Sequence, residues 1–320
     1  MPAPVAFLAT IGADEEAAYL AALAAAMPQE TVRPFRALTE AERAAVDVAL
    51  VTNPDPAEVA RLPRLVWLQS LWAGVERLVH DLGPGAPPIV RLVDPELART
   101  MAEAVLAWTY YLQRDMPAYR RQQQAVLWQP RPYRAPADTT VGLLGLGALG
   151  SAAAHRLAQA GFRVAAWTRS PVSPATREAL PTIETCAGIG ALPDLLGRSD
   201  IVVCLLPLTA ETCGLLDAGR LAAMKPGAVL INVARGAIVV TDDMLSALDA
   251  GHLDHAVLDV FETEPLPAAS PLWRHPKVTV LPHITGRTNP ASAAAVVAGN
   301  LRSYRETGRV PESVDLARGY

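Results

Sequence analysis

Short apolar runs alternate with helix-spaced stretches from residue 4 to residue 93. VAFLAT (Val5–Thr10), ETVRPF (Glu30–Phe35), VDVALVT (Val46–Thr52), LVWLQS (Leu65–Ser70) and PIVRLV (Pro88–Val93) read as strands. AAYLAALAAAM (Ala17–Met27) and VERLVHDL (Val75–Leu82) read as helices between them. This alternation predicts a small parallel sheet with helices on its faces. The pattern changes at Pro95, where PELARTMAEAVLAWTYYLQRDM (Pro95–Met116) carries apolar residues at helical spacing, with proline at its start as helix N-termini prefer. WQPRPYRAPAD (Trp128–Asp138) follows and is expected to be an extended arm, since its prolines stiffen it. A second series opens at Thr139: TVGLLG, FRVAAWT, IVVCLLP, AVLINVA, HAVLDV and VTVLP are candidate strands. SAAAHRLAQAG, DAGRLAAM and TDDMLSALDAG are helices among them, and PASAAAVVAGNLRSYRETG (Pro290–Gly308) is the last. The fold class is therefore α/β, with the second series forming a doubly wound, Rossmann-type parallel sheet.

Composition narrows the setting. Hydrophobic residues make up 51% of 320, enough for two cores, and a net charge of −4 gives no whole-chain attraction to nucleic acid or to an anionic membrane. The three cysteines, Cys186, Cys204 and Cys213, have no metal-ligand spacing and suit a reducing compartment. MPAPVAFLATIG lacks a basic start and a cleavage site, so VAFLAT is read as a strand and not a signal peptide. No apolar run reaches the ~18 residues of a membrane span. A cytoplasmic protein is expected, with no metal.

The first chemistry lies at the head of the second series. Gly145-x-Gly147-x-x-Gly150 follows a strand and opens a helix, the setting in which this pattern binds a dinucleotide. Gly145 permits the turn, Gly147 lets the backbone approach a pyrophosphate, and Gly150 allows close helix–strand packing. About 20 residues further on, an NAD site has an acid for the ribose hydroxyls. This chain has Thr168, Arg169 and Ser170 instead. A guanidinium pairs with a 2′-phosphate that an acid would repel, so NADPH is expected, with NADH weaker.

Later strands end on polar residues. Arg235 follows AVLINVA, Asp259 ends HAVLDV with Glu264 on the loop beyond, and His283 follows VTVLP. In a parallel sheet such ends share the edge that faces the ligand crevice. On a 2-keto acid, Arg235 holds the carboxylate and carbonyl through its forked donors. His283 as imidazolium donates a proton to the oxygen as hydride arrives, and Glu264 bonds the other ring nitrogen, favouring the charged form. Each residue alone also has a plainer reading: Arg235 as a turn cap, Glu264 as a solvated acid, His283 as a satisfied buried histidine. The remaining histidines lack this context and are read as structural, with His155 on the helix after the glycine loop, His252 and His255 flanking a strand start, and His80 and His275 in loops.

GLGALG, NVARG, LDVFETEPLP and LPHITG, in that order and spacing, resemble the D-isomer-specific 2-hydroxyacid dehydrogenases. LQSLWAGVE, the WQP arm, WTRS, SPLW before the histidine strand and the terminal VDLARGY look like the glyoxylate/hydroxypyruvate reductase A branch of that family. The resemblance covers nearly the whole chain. It implies that Arg235 binds substrate, that Glu264 and His283 are the acid–base pair, and that the loop Trp72, Ala73, Gly74 and Val75 meets the substrate, with the Gly74 and Val75 amides on its carboxylate. It implies cofactor contacts from Gly145, Gly147, Ala148, Leu149, Gly150, Thr168, Arg169, Ser170, Leu206, Pro207, Thr212, Val233, Ala234 and His283, and from Asp259 to the nicotinamide carboxamide. A discontinuous flavodoxin-like substrate domain, 1–98 plus 285–320, is implied around a dinucleotide-binding domain, 99–284. So is a homodimer built on the cofactor domain, for which the long helix and the Trp128 arm are the candidate surface. Two stretches depart from the branch. Trp72 stands where it commonly has glycine, and either packs into its domain or narrows the pocket. Thr285-Gly286-Arg287-Thr288 replaces small apolar residues, and Arg287 either adds charge near the pocket or faces solvent.

These readings make glyoxylate and hydroxypyruvate the expected substrates. A larger keto acid such as phenylpyruvate is the alternative, and a non-catalytic dinucleotide sensor on the same fold is another. A sensor has no need of the arginine–glutamate–histidine set, yet all three are present. Chemistry on 3-hydroxy acids would call for a helix-borne lysine, and the two lysines, Lys225 and Lys277, sit in loop-like contexts.

Overall fold

The computed structural model describes residues 3–316 and 318–320. Its strands and helices run in chain order β1 (Val5–Ala9), α1 (Ala13–Ala26), β2 (Val32–Pro34), α2 (Glu40–Arg43), β3 (Val48–Thr52), α3 (Pro56–Val59), β4 (Trp67–Ser70), α4 (Glu76–Leu82) and β5 (Ile89–Val90). Then come α5 (Pro95–Gln113), α6 (Met116–Gln124), β6 (Thr140–Leu144), α7 (Ala148–Gln159), β7 (Arg163–Thr168), α8 (Pro174–Ala179), β8 (Glu184–Ala187), α9 (Leu192–Arg198) and β9 (Ile201–Cys204). The chain finishes with α10 (Ala218–Ala222), β10 (Ala228–Asn232), α11 (Thr241–Asp249), β11 (Leu253–Leu258), β12 (Val278–Val280) and α12 (Pro290–Thr307). It divides into two compact units, Met1–Glu96 with Thr288–Tyr320, and Leu97–Arg287.

The first unit holds a parallel five-stranded sheet in the order β2-β1-β3-β4-β5, the flavodoxin-like arrangement. Strand β3, VALVT, is buried along its whole length, as a strand covered on both faces must be. On one face α1 contributes Tyr19 and Leu23, Met27 follows just past its end, and α12 contributes Ala293, Ala294, Val297 and Leu301. The small residues of α12 let its backbone lie close to that core.

The second unit holds a parallel seven-stranded sheet in the order β12-β11-β10-β9-β6-β7-β8. Counted from β6, this is the doubly wound Rossmann order, 3-2-1-4-5-6, with a seventh strand added beyond the sixth. Two apolar clusters cover its faces, one built on Leu195, Leu196, Leu230 and Met244, the other on Val105, Leu143, Leu157 and Ile231.

Several elements differ from the sequence pattern. The single long helix expected from Pro95 to Met116 ends at Gln113, and Asp115 turns through φ 57° before α6 begins. Pro117 explains the break, because in a continuous helix its ring would clash with the carbonyl of Gln113. β2, β5 and β12 are shorter than their apolar runs, and α8, β8 and α9 were not foreseen. His80 lies inside α4, not in a loop, and His255 lies within β11. The Trp128 arm, expected to be extended throughout, has no regular element from Trp128 to Ala135 and closes on a 3-10 turn at Pro136–Asp138. Tyr119 Oη accepts the Arg131 N–H at 2.9 Å, Arg131 pairs with Asp115 at 3.0 Å, and the Arg114 guanidinium lies 5.0 Å from the Tyr133 ring centre.

Candidate active site

The glycine loop begins where β6 ends. Gly145 has φ +103°, and a Cβ there would lie 3.1 Å from the Leu205 carbonyl oxygen. A Cβ at Gly150 would lie 2.1 Å from the Gly145 oxygen, so only glycine lets α7 fold back onto its own turn. Gly147 caps α7 without a side-chain hydrogen bond, and the space where its Cβ would sit is open for 4 Å. Ala148 is exposed and Leu149 half-buried in the first turn. Bare N–H groups, the positive helix end and an unobstructed approach fit a dinucleotide pyrophosphate.

The strands flanking β6 furnish the neighbouring residues. At the end of β7 the Thr168 hydroxyl donates to the Ser170 carbonyl at 2.7 Å, and Arg169 pairs with Glu211 at 3.0 Å. Beyond β9, Leu206 is buried and packs toward Gly145, while the Thr212 hydroxyl donates to the Pro207 carbonyl at 2.7 Å. Val233 and Ala234 are buried after β10, where Asn232 accepts the Ala234 N–H at 3.1 Å and donates to the Arg235 carbonyl at 3.0 Å. These two hydrogen bonds with a buried asparagine shape the turn bearing Arg235, and the Arg235 Nη1 donates to the Ala234 carbonyl at 2.7 Å.

Two loops then cross. A Cβ on Gly236 would lie 1.9 Å from the Phe261 carbonyl carbon, so the Arg235 turn and the loop carrying Glu264 are in direct backbone contact. Glu264 accepts the Phe261 N–H on Oε1 at 2.9 Å and meets His283 Nδ1 through Oε2 at 2.8 Å. His283 has φ +53°, a left-handed conformation uncommon outside glycine. Asp259 stabilises it: buried at the end of β11, its two oxygens accept the Ile284 N–H at 2.7 Å and the Thr285 N–H at 2.9 Å. Asp259 thereby clamps the histidine turn, and each of its oxygens can still accept from a further donor.

The remaining histidines are engaged elsewhere, His155 with Gln159, His80 with Asp81, His255 with Thr279, His275 with Asp249 and His252 with the Leu221 carbonyl. Burial, reinforced by Arg121, His275 and Lys277, pushes His255 down to about 4 and keeps it neutral. Burial likewise pushes the Cys204 thiol up to about 12, so it is an inert core residue. Among the described residues no group of His, Cys, Asp and Glu could hold a metal ion, and no helix is long and apolar enough to cross a membrane.

In the first unit, the loop Trp72–Val75 joins β4 to α4. Ser70 shapes its start, its hydroxyl accepting the Trp72 N–H at 3.1 Å and donating to the Trp72 carbonyl at 2.9 Å. The half-buried Trp72 indole hydrogen-bonds Tyr19, whose hydroxyl is raised by burial against the lowering effect of that bond. Glu211 escaped the sequence reading, as did the structural roles of Asn232 and Gly236, the two ends of NVARG. An asparagine three residues before an arginine at a strand end signals an Asx-type turn, but nothing local reports the Phe261 crossing or the Arg169 partner.

A doubly wound nucleotide domain with an imidazole–carboxylate pair on its rim defines an enzyme of the nicotinamide-dependent oxidoreductase class. Residues 106–285 match the NAD binding domain of the D-isomer specific 2-hydroxyacid dehydrogenases, and the chain belongs to that family. It is 37% identical over 309 residues to glyoxylate/hydroxypyruvate reductase A of Serratia proteamaculans (strain 568), covering 94% of this chain and 96% of that one. A D-isomer specific 2-hydroxyacid dehydrogenase from Xanthobacter autotrophicus Py2, solved with NADPH and MES, superposes with a TM-score of 0.91 at 40% identity over 100% of both chains. The NADPH-dependent glyoxylate/hydroxypyruvate reductase of Sinorhizobium meliloti, solved with NADP and sulfate, gives 0.88 at 33% identity over 99% of this chain and 100% of that one. Family membership sets the sensor reading aside.

Proposed function

We propose that this enzyme uses NADPH to reduce small 2-keto acids, glyoxylate and hydroxypyruvate first, to 2-hydroxy acids. The observation that carries this reading is the His283–Glu264 contact at 2.8 Å on the same rim as Arg235. Nicotinamide, when bound, supplies the hydride. The Arg235 guanidinium takes the substrate carboxylate and carbonyl oxygen, its two-pronged donor set matching both. With Nδ1 on Glu264, His283 presents Nε2, which delivers its proton to the oxygen as negative charge grows there. Neutral His283, its Nδ1–H held by the carboxylate, removes that proton in the oxidative direction. The phosphates lie on the Gly145–Gly150 turn, and Thr168, Arg169 and Ser170 receive the 2′-phosphate that favours NADPH over NADH. The NADPH and NADP bound by the Xanthobacter and Sinorhizobium proteins support that preference.

The active form is a homodimer built on the Leu97–Arg287 unit. Val126 is 94% exposed and Trp128 96%, an apolar tip that a second copy would cover.

The test is NADPH oxidation with glyoxylate, hydroxypyruvate and phenylpyruvate, beside His283→Ala and Arg235→Ala. Turnover should fall about 10²–10⁴-fold for the first, and the second should weaken substrate binding as well. Wild-type rates in both variants would refute the site, and faster phenylpyruvate reduction would assign larger substrates.

A further inference from the structure

Glu211 stands apart from the proposed chemistry, yet it is the partner of Arg169. Its carboxylate meets the guanidinium at 3.0 Å, with side-chain exposures of 66% for the acid and 36% for the arginine. The turn that delivers it is firmly built. Thr209 N–H donates to the Thr212 hydroxyl oxygen at 2.8 Å, Thr212 Oγ1 reaches the Pro207 carbonyl at 2.7 Å, and the Cys213 N–H returns to the Thr209 carbonyl at 2.9 Å. Arg169 follows β7 and Glu211 follows β9, and these two strands flank β6, which opens into the glycine loop. The ion pair therefore spans the strand end at which the nucleotide phosphates are expected.

A 2′-phosphate brings close to two negative charges. It must displace the Glu211 carboxylate from Arg169 or share the guanidinium with it at short range, and either costs binding. A cofactor with a free 2′-hydroxyl makes no such demand. We infer that Glu211 is a specificity-determining residue that competes with the 2′-phosphate for Arg169 and so moderates the preference for 2′-phosphorylated nucleotides. This rests on the reading that Arg169 receives that phosphate. Exposed carboxylate–guanidinium pairs contribute ~0.2–1 kcal/mol, and the upper part of that range, ~0.4–1 kcal/mol, corresponds to about a two- to five-fold change in affinity.

Calorimetric titration of the full-length protein with NADP+, NAD+ and adenosine 2′,5′-bisphosphate tests it, using wild type, Glu211→Gln, Arg169→Ala and the double variant. Glu211→Gln should tighten NADP+ and the bisphosphate about two- to five-fold, leave NAD+ unchanged, and lose its effect as salt rises. In the Arg169→Ala background it should change nothing. Weaker or unaltered NADP+ binding in Glu211→Gln, with Arg169→Ala still lowering the NADP+/NAD+ ratio, overturns the inference alone. An unchanged ratio in Arg169→Ala overturns the phosphate reading and the inference together.

Discussion

In the proposed reaction Glu264 would work through His283, which it meets at 2.8 Å, and its substitution isolates that contribution. In Glu264→Gln the amide keeps the size but not the charge that steadies the imidazolium. Turnover should fall about a hundred-fold while the substrate KM holds and the circular dichroism spectrum is unchanged. A variant with wild-type turnover would remove Glu264 from the acid–base pair. At this scale the contact itself was legible, because Glu264 and His283 each follow an apolar run that ends abruptly in polar residues. What held them in place was not. The Asp259 clamp on the Ile284 and Thr285 amides joins positions 25 and 26 residues apart, and only the strand pairing of β11 with β12 brings them together.

Among the elements, Asp200 joins more pieces of the nucleotide sheet than any local pattern suggests. It accepts the Thr140 N–H at the start of β6 at 2.8 Å, Lys225 Nζ at 2.6 Å and Arg134 at 3.1 Å. Burial alone would raise its carboxyl, but these donors outweigh burial and hold it below the ordinary range. The ionised form therefore favours the fold. This stability is fully present above the unfolded value of ~3.9 and is lost as pH falls through the lower folded value. Asp200→Asn should lose about 2 kcal/mol at neutral pH in urea titrations and flatten the acid limb of stability. A variant as stable as wild type would show that the neighbouring cations need no carboxylate. Fully buried strands such as AVLIN and VALVT announced themselves as apolar runs. ETCA in β8 did not, because this edge strand is exposed at Glu184 and only half-buried elsewhere, leaving no contrast to read. The helices α8 and α9, of six and seven residues, span less than two turns, and in α8 no residue is buried to mark an apolar face.

Taken whole, the chain carries two parallel sheets of different winding, and the first recruits its last helix from the far end of the sequence. The alternation of runs revealed both sheets; the order 2-1-3-4-5 in one and the seventh strand in the other depend on pairings that no single run encodes. The Trp128 arm bears on the proposed homodimer. Trp128→Glu places a charge at the apolar tip and should convert a dimer to a monomer in light scattering after size exclusion, with the nucleotide domain still folded. Wild-type protein already monomeric at micromolar concentration would dispose of the homodimer. Finally, Gly236 leaves no gap between two segments that belong to successive βα units. The close backbone approach at Gly236 ties the position of the Arg235 turn to that of the loop bearing Glu264. In the proposed reaction, capture and protonation would thus be geared together, and a larger residue at position 236, driven into the Phe261 backbone, should disable both at one stroke.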